Sequence, residues 1–440
     1  MPGMHGTCCN PARRRNMLFT DKYVDRLEQL LCIDTVTPME TGQPSCIAQA
    51  NMLFAQWAQA VGMREVFNGP GALPDEARVP VSVQRRMNEA PQFLAWQPHS
   101  VLEIGNGPRE RTVMFNFHMD TVSPHLPVQV VDGCVQGRGA VDNKGPGLAV
   151  LAALEALQMQ EPQVLDDIRV LIQVVAGEEG GAMGVYGTRY LCEQGYLGCL
   201  NIFVEPTGPG YFDASTTSMT YEVRMDGRDS TDDFPQQGDN ASLVLGFIAQ
   251  AMAAQLAEPL HALQVKMTLA GLHTGIHHNR VYGSGHCLFN FAYRSTAQAR
   301  DAEVLIEQAF DQALQQCGSR FAQSPPFLMT VERLRTTCSA RWLKRGLPVL
   351  NNRHVALQRL LGEAGIVPNP DAEQAFTCDA MWAQGNGAYS VVWGPGSLAD
   401  NGAHTSREYV SINDLDTFAV AVKGLLRRFA EPIENTLKQG

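Results

Sequence analysis

The chain has 440 residues, 45% of them hydrophobic and 18% charged, with a formal net charge of -11 at neutral pH. That length exceeds one ordinary core and predicts about two domains. The acidic balance argues against a nucleic-acid partner, which calls for a basic face. No uninterrupted apolar run approaches the roughly 20 residues that span a bilayer, so no membrane partner is expected either.

Within the first 18 residues, Arg13-Arg14-Arg15 is followed by only a short apolar run. A signal peptide needs a longer apolar core, so the start is read as carrying no targeting signal. The 11 cysteines are scattered, with only Cys8 and Cys9 adjacent, and show no CxxC or zinc-finger spacing. They fit reduced, mostly buried thiols and predict a cytoplasmic protein.

Thr20-Asp21 opens a predicted helix whose apolar positions Val24, Leu27, Leu30 and Leu31 share one face. A second helix is expected over about 45–61. Residues 69–92, rich in Pro, Gly and charge, read as a long surface excursion. From 111 the pattern becomes buried strands at 113–117, 168–175 and 202–204, with a helix over 147–157. It resumes with a strand at 390–393 and a closing helix over 412–429. Continuous apolar runs separated by helices predict an α/β fold: a mostly parallel sheet covered by helices on both faces.

The middle differs. Strands near 214–226, 264–272, 286–294 and 327–332, with helices near 241–254 and 302–316, give the order β-α-β-β-α-β of a small α+β domain. The expected organisation is a catalytic domain in two parts, 1–212 and 334–440, with the α+β domain inserted at 213–333.

The chemistry concentrates where apolar strands run into Gly-rich or polar turns, the rim on which open α/β sheets build their sites. Phe115-Asn-Phe-His118-Met-Asp120 ends one strand, and Gly137-Arg-Gly-Ala-Val-Asp142-Asn-Lys-Gly145 precedes a helix. Ala176-Gly-Glu178-Glu179-Gly-Gly181, Val204-Glu205-Pro206 and Gly402-Ala-His404-Thr405 follow. His118 and His404 supply imidazole, while Asp142, Glu179 and Glu205 supply carboxylates. Mixed nitrogen and oxygen ligands without a thiolate suit Zn²⁺, with Co²⁺ or Mn²⁺ as substitutes. Five ligands exceed one tetrahedral catalytic site and fit two metals sharing a carboxylate and a water. The charges agree: two divalent cations balance three carboxylates and one hydroxide.

Each of these residues has a plainer reading. Asp142 is placed to cap a helix, tandem acids often start a solvated helix, Glu205 reads as a surface acid, and a lone loop histidine is usually just solvated. On an extended segment, adjacent side chains point oppositely, so Glu179 is taken as the ligand and Glu178 as the general base. Asp120, two residues past His118 and on the same strand side, is expected to accept the second imidazole N–H and fix its tautomer.

Taken together, these motifs resemble the zinc aminoacylase/carboxypeptidase family that includes acetylornithine deacetylase, succinyl-diaminopimelate desuccinylase and glutamate carboxypeptidase. The resemblance extends from about residue 20 to 430 and includes Gly394-Pro-Gly396 and Glu408-Tyr-Val. It implies that Asp142 bridges two metals, completed by His118 and Glu205 on one side and by Glu179 and His404 on the other. It also implies a cis peptide after Asp142, a lid formed by the inserted domain, and a homodimer. Asn279 and Arg294 match lid residues that meet substrate, and Asp379 matches an aspartate preceding the last sheet strand.

One departure stands out. Thr231 occupies the place of a lid histidine that steadies the oxyanion. His273, His277, His278, His286 or Thr231 itself is left to supply that donor. The expected function is therefore a binuclear-zinc amidohydrolase acting on an N-acyl amino acid or short peptide. An exopeptidase of the same family, or a catalytically weakened ligand-binding or amide-forming relative, stands as the alternative.

Overall fold

The computed structural model describes residues 17–74, 79–385 and 388–431. The chain divides into two compact units, the second formed chiefly by Thr216–Val349. In the first unit, strands β1 (Arg64–Gly69), β2 (His99–Gly105), β3 (Thr112–His118), β4 (Arg169–Val175), β5 (Leu200–Phe203) and β6 (Tyr389–Val392) form one sheet in the order β1-β2-β4-β3-β5-β6. The four strands β4, β3, β5 and β6 run parallel to one another. All seven residues of β3 and all four of β5 and of β6 are buried, which is why these strands read as continuous apolar runs. The outer two, β1 and β2, are antiparallel additions. Neither was legible: β1 is a half-exposed edge strand, and Glu103 interrupts the apolar run of β2.

The helix Gly145–Gln160 is apolar on every side and buried through Leu157 except at Glu155. It approaches β3 closely because Gly147 has no side chain; a Cβ there would meet Cδ2 of Phe117 at 2.6 Å. Against it pack the Asp21–Leu31 helix, through Tyr23, Val24, Leu27, Leu30 and Leu31, and the Ile412–Ala430 helix. The latter starts where the Ser411 side chain accepts the Asp414 N–H at 3.3 Å, a capping bond.

The expected excursion over 69–92 is corrected in part: Val81–Glu89 is a helix. Arg86 ties it down by donating to the Met39 and Glu40 carbonyls, each at 3.0 Å. Those long-range bonds leave no trace in the local sequence.

The second unit holds an antiparallel sheet in the order Lys266–His273, Ser284–Tyr293, Thr217–Asp226, Cys338–Lys344. Helices Ala241–Ala262 and Thr296–Phe321 share its core, with Val244, Ile248, Met252 and Ile306 against Tyr221, Val223 and Phe289. The last strand lies later than expected. Residues 327–332 lie in a short turn and then the helix Leu328–Thr337, whose buried positions Thr330, Leu334 and Thr337 have helical spacing. Because Cys338–Lys344 completes the sheet, the unit runs on to Val349 rather than stopping at 333. Among the described residues, Ala241–Ala262 is the single helix long and apolar enough to cross a bilayer, and one face of it, including Val244, Ile248, Met252, Leu256 and Leu260, lines this core. The nine described cysteines are unpaired; Cys8, Cys9 and Arg13–Arg15 lie outside the described residues.

Candidate metal centre

The C-terminal ends of adjacent parallel strands place the site. His118 is the last residue of β3, Glu178 and Glu179 follow β4, Glu205 follows β5, and His404 lies in the loop beyond β6. Asp142 sits in the turn before the Gly145–Gln160 helix, and its peptide bond to Asn143 is cis. That helix has no side-chain cap, so the Asp142 carboxylate is not spent there. His404 holds a left-handed backbone at φ +63, uncommon for a residue with a Cβ.

Five side chains meet. His118 Nε2 lies 2.9 Å from Asp142 Oδ1 and 3.8 Å from Glu205 Oε1. His404 Nε2 lies 3.1 Å from Asp142 Oδ2 and 3.0 Å from Glu179 Oε1. Asp142 therefore turns one oxygen toward each histidine. Two groups result, His118–Asp142–Glu205 and Asp142–Glu179–His404, each with its ligand atoms within 4.8 Å of one another. A carboxylate oxygen of Glu178 also lies within 4.8 Å of ligand atoms of His118 and Glu179.

Three supporting residues carried no assigned role in the sequence reading. Asn143 donates to Glu205 Oε1 at 2.8 Å and accepts the His118 N–H at 3.1 Å. Glu408, fully buried, accepts the main-chain N–H groups of Gly139, Val141 and Asp142 at 2.8, 3.3 and 3.4 Å. Arg138 neutralises it at 2.5 Å. The Gly-rich motif around Asp142 marked the turn, but Glu408, which holds its main chain, lies 269 residues from Gly139.

Asp120 acts differently from expectation. Its main-chain carbonyl, not its carboxylate, accepts the His118 Nδ1–H at 2.8 Å, while the nearer carboxylate oxygen stands 3.7 Å off. The chain has left the strand by Met119, so the two-residue alternation no longer holds. The carboxylate instead accepts the Glu179 N–H at 3.2 Å.

Electrostatics shows a site that demands positive charge. Burial opposes protonation of His118, yet its hydrogen bond to Asp142 and the charges of Asp142 and Glu205 outweigh it and hold the imidazole well above its usual range. Hydrogen bonds to Asp142 and Glu179 push His404 up to about 10. Burial raises Glu205 to about 8 and lifts Glu178 well above an ordinary carboxylate, with Glu179 adding to the effect. Crowded, desolvated carboxylates beside two imidazoles, with no thiolate, fit divalent cations of the zinc type.

The other residues singled out from sequence are not among these five. Asp379 is buried near the Glu178 turn, where its carboxylate accepts the Thr188 hydroxyl. Asn279 and Arg294 belong to the second unit; Asn279 is exposed in a turn, and the Arg294 N–H donates to Gln298 Oε1 at 3.1 Å. Thr231, also exposed, pairs with Arg280 in a two-residue ladder.

A parallel-sheet rim carrying paired histidine–carboxylate groups defines a class, α/β proteins with a candidate metal centre at the C-terminal ends of their strands. Within that class, residues 114–428 match the model of peptidase family M20/M25/M40, and the chain belongs to that family. Among curated proteins it is 29% identical over 182 residues to Beta-Ala-His dipeptidase of Homo sapiens, covering 38% of this chain and 32% of that one. It thus spans about a third of that relative's length. Succinyl-diaminopimelate desuccinylase of Halorhodospira halophila is 23% identical over 402 residues, covering 84% of this chain and 98% of that protein. A solved metallo-carboxypeptidase from Sulfolobus solfataricus superposes with a TM-score of 0.65 at 14% identity, covering 93% of this chain and all of that one. That last likeness concerns the fold alone.

Proposed function

We propose that the protein is a cytoplasmic, two-zinc amidohydrolase that releases the amine from an N-acyl amino acid or short peptide. The observation that carries this reading is Asp142, with one carboxylate oxygen facing His118 and the other facing His404. His118 and Glu205 would hold one ion, Glu179 and His404 the other, with Asp142 between; cobalt or manganese suits the same ligands. Bound there, such ions supply electrophilic polarisation of the amide carbonyl and acidify water.

The chain's own groups do the rest. Glu178, its basicity raised by burial and by Glu179, takes a proton from the attacking water and returns it to the leaving amine nitrogen. The Asp120 carbonyl fixes the His118 tautomer so that Nε2 presents its lone pair to the cluster. The Asp120 carboxylate orders the Glu179 backbone. The second unit, with Asn279 and Arg294, is proposed as the lid and dimerisation surface, as the resemblance implies.

The relatives' names motivate a substrate panel of N-acetyl amino acids, N-succinyl amino acids and dipeptides, including β-alanyl-histidine. Turnover with zinc restored, lowered by about 10²–10⁴-fold in Glu178→Ala that still binds metal, is the expected result. No turnover of any member would reject the substrate class. Thr231 favours a second reading, a weakened ligand-binding relative. In that case panel compounds bind without hydrolysis, and Glu178→Ala changes nothing.

A further inference from the structure

Behind the Glu178–Glu179 turn lies a cluster of buried polar side chains that the cation site does not use. His99, Gln97 and Tyr186 are all fully buried. The ladder between β2 and β4 runs from Gly105 opposite Arg169 to Ser100 opposite Val174, so it stops short of Ala176. The His99 side chain takes over there: its Nδ1 accepts the Ala176 N–H at 3.1 Å. An accepting Nδ1 must be unprotonated. Burial, which pushes the His99 pKa down to about 3, keeps the ring neutral, and the Ala176 bond leaves the proton on Nε2.

The next residue, Gly177, has φ +80, and the Tyr186 ring lies against it; a Cβ there would stand 2.2 Å from Cε2. The ring is itself fixed. Its hydroxyl donates to Gln97 Oε1 at 2.8 Å, and Phe93 packs edge-on at 5.8 Å. The Gly177 carbonyl accepts the Gly184 N–H at 2.7 Å. On the other side of Glu178, the Asp120 carboxylate holds the Glu179 N–H. Glu178 thus sits between two anchored peptide units, one set by His99 and Tyr186, the other by Asp120.

We propose that His99 and Tyr186 are positioning residues, a brace that fixes the backbone at Ala176 and Gly177 and thereby aims the Glu178 carboxylate at the reacting water. The proposal rests on the reading of Glu178 as the proton carrier. A glycine at positive φ has wide conformational freedom, and rotation there swings the following side chain. Misplacing a reacting group by about 1 Å costs on the order of 10²-fold in rate. The acceptor position also makes a specific demand on replacements. The Oδ1 of asparagine is bonded to Cγ as Nδ1 is in histidine, so asparagine can keep the bond. Glutamine carries its oxygen one methylene too far.

The test compares His99→Leu, His99→Asn and His99→Gln by hydrogen exchange of the peptide covering residues 170–182, and by kcat and KM on β-alanyl-histidine and N-succinyl amino acids. His99→Leu is expected to speed exchange about tenfold. It should lower kcat about 100-fold, with KM and zinc content near wild type. His99→Asn should restore both readouts and His99→Gln neither. In a Glu178→Ala background, His99→Leu should add no further loss, because residues acting as one unit are non-additive. Unchanged exchange at 170–182, no rescue by asparagine, or a full additional loss without Glu178 would each overturn the brace. Full turnover by Glu178→Ala alone would instead overturn the proton-carrier reading, leaving the exchange result to judge the brace. Should His99→Leu fail to fold, Tyr186→Phe removes only the bond to Gln97 and carries the same readouts.

Discussion

Glu408→Gln tests how the Asp142 turn is held. Glu408 and Arg138 are 1% and 2% exposed and meet at 2.5 Å. The carboxylate also accepts three main-chain N–H groups of the turn. Glutamine can keep an oxygen toward Gly139, but it leaves the guanidinium without its charge partner. Breaking one side of a buried ion pair costs about 3–5 kcal/mol, and each orphaned buried N–H about 1–3 kcal/mol. These terms overlap, so about 4 kcal/mol is expected for glutamine and somewhat more for alanine. At roughly 2–4 °C per kcal/mol for a unit of this size, Tm should fall by about 10 °C. Urea denaturation followed by two probes on the chelated protein gives the number. Arg138→Met, added to Glu408→Gln, should recover part of the loss by removing the stranded charge. A Glu408→Gln protein within about 1 kcal/mol of wild type, or a double variant no better than the single, would refute the reasoning.

Glu178→Ala should lower kcat by about 10²–10⁴-fold while elemental analysis still finds metal; loss of metal in parallel would instead make Glu178 a ligand. Metal binding should release protons, because His404 and Glu205 titrate near 10 and 8 in the protein without metal. Calorimetry in buffers of different ionisation enthalpy should therefore show apparent affinity rising with pH. The same shifts fix a stability trend. Glu205, raised from 4.5, gives the chelated protein stability that is complete below pH 4.5 and lost as pH climbs through about 8. His404, raised from 6.5, gives stability complete below pH 6.5 and lost through about 10. Tm of the chelated form should thus fall across pH 6.5–8, where both contribute, and a flat profile would contradict the shifts. Gly147→Ala should destabilise by about 1–3 kcal/mol, since its Cβ overlaps the buried Phe117 ring; an unchanged denaturation midpoint would show that the helix can shift.

The sequence by itself determined the strands that build the site and the residues at their ends. Buried parallel strands are apolar throughout, and they break into Gly-rich turns where side chains must face a ligand, so both signals are local. That is why His118, Asp142, Glu179, Glu205 and His404 could be picked out before any of their distances was known. Tertiary structure alone decided which oxygen faces which histidine, that the Asp120 carbonyl rather than its carboxylate meets His118, and that Glu408 and His99 brace turns far from them in the chain. It also decided that residues 328–337 are helical, because Thr330, Leu334 and Thr337 had a core to face. Hydrogen bonds between segments many residues apart leave no period in the sequence, and a chain leaving its strand abandons the alternation on which side-chain direction was read.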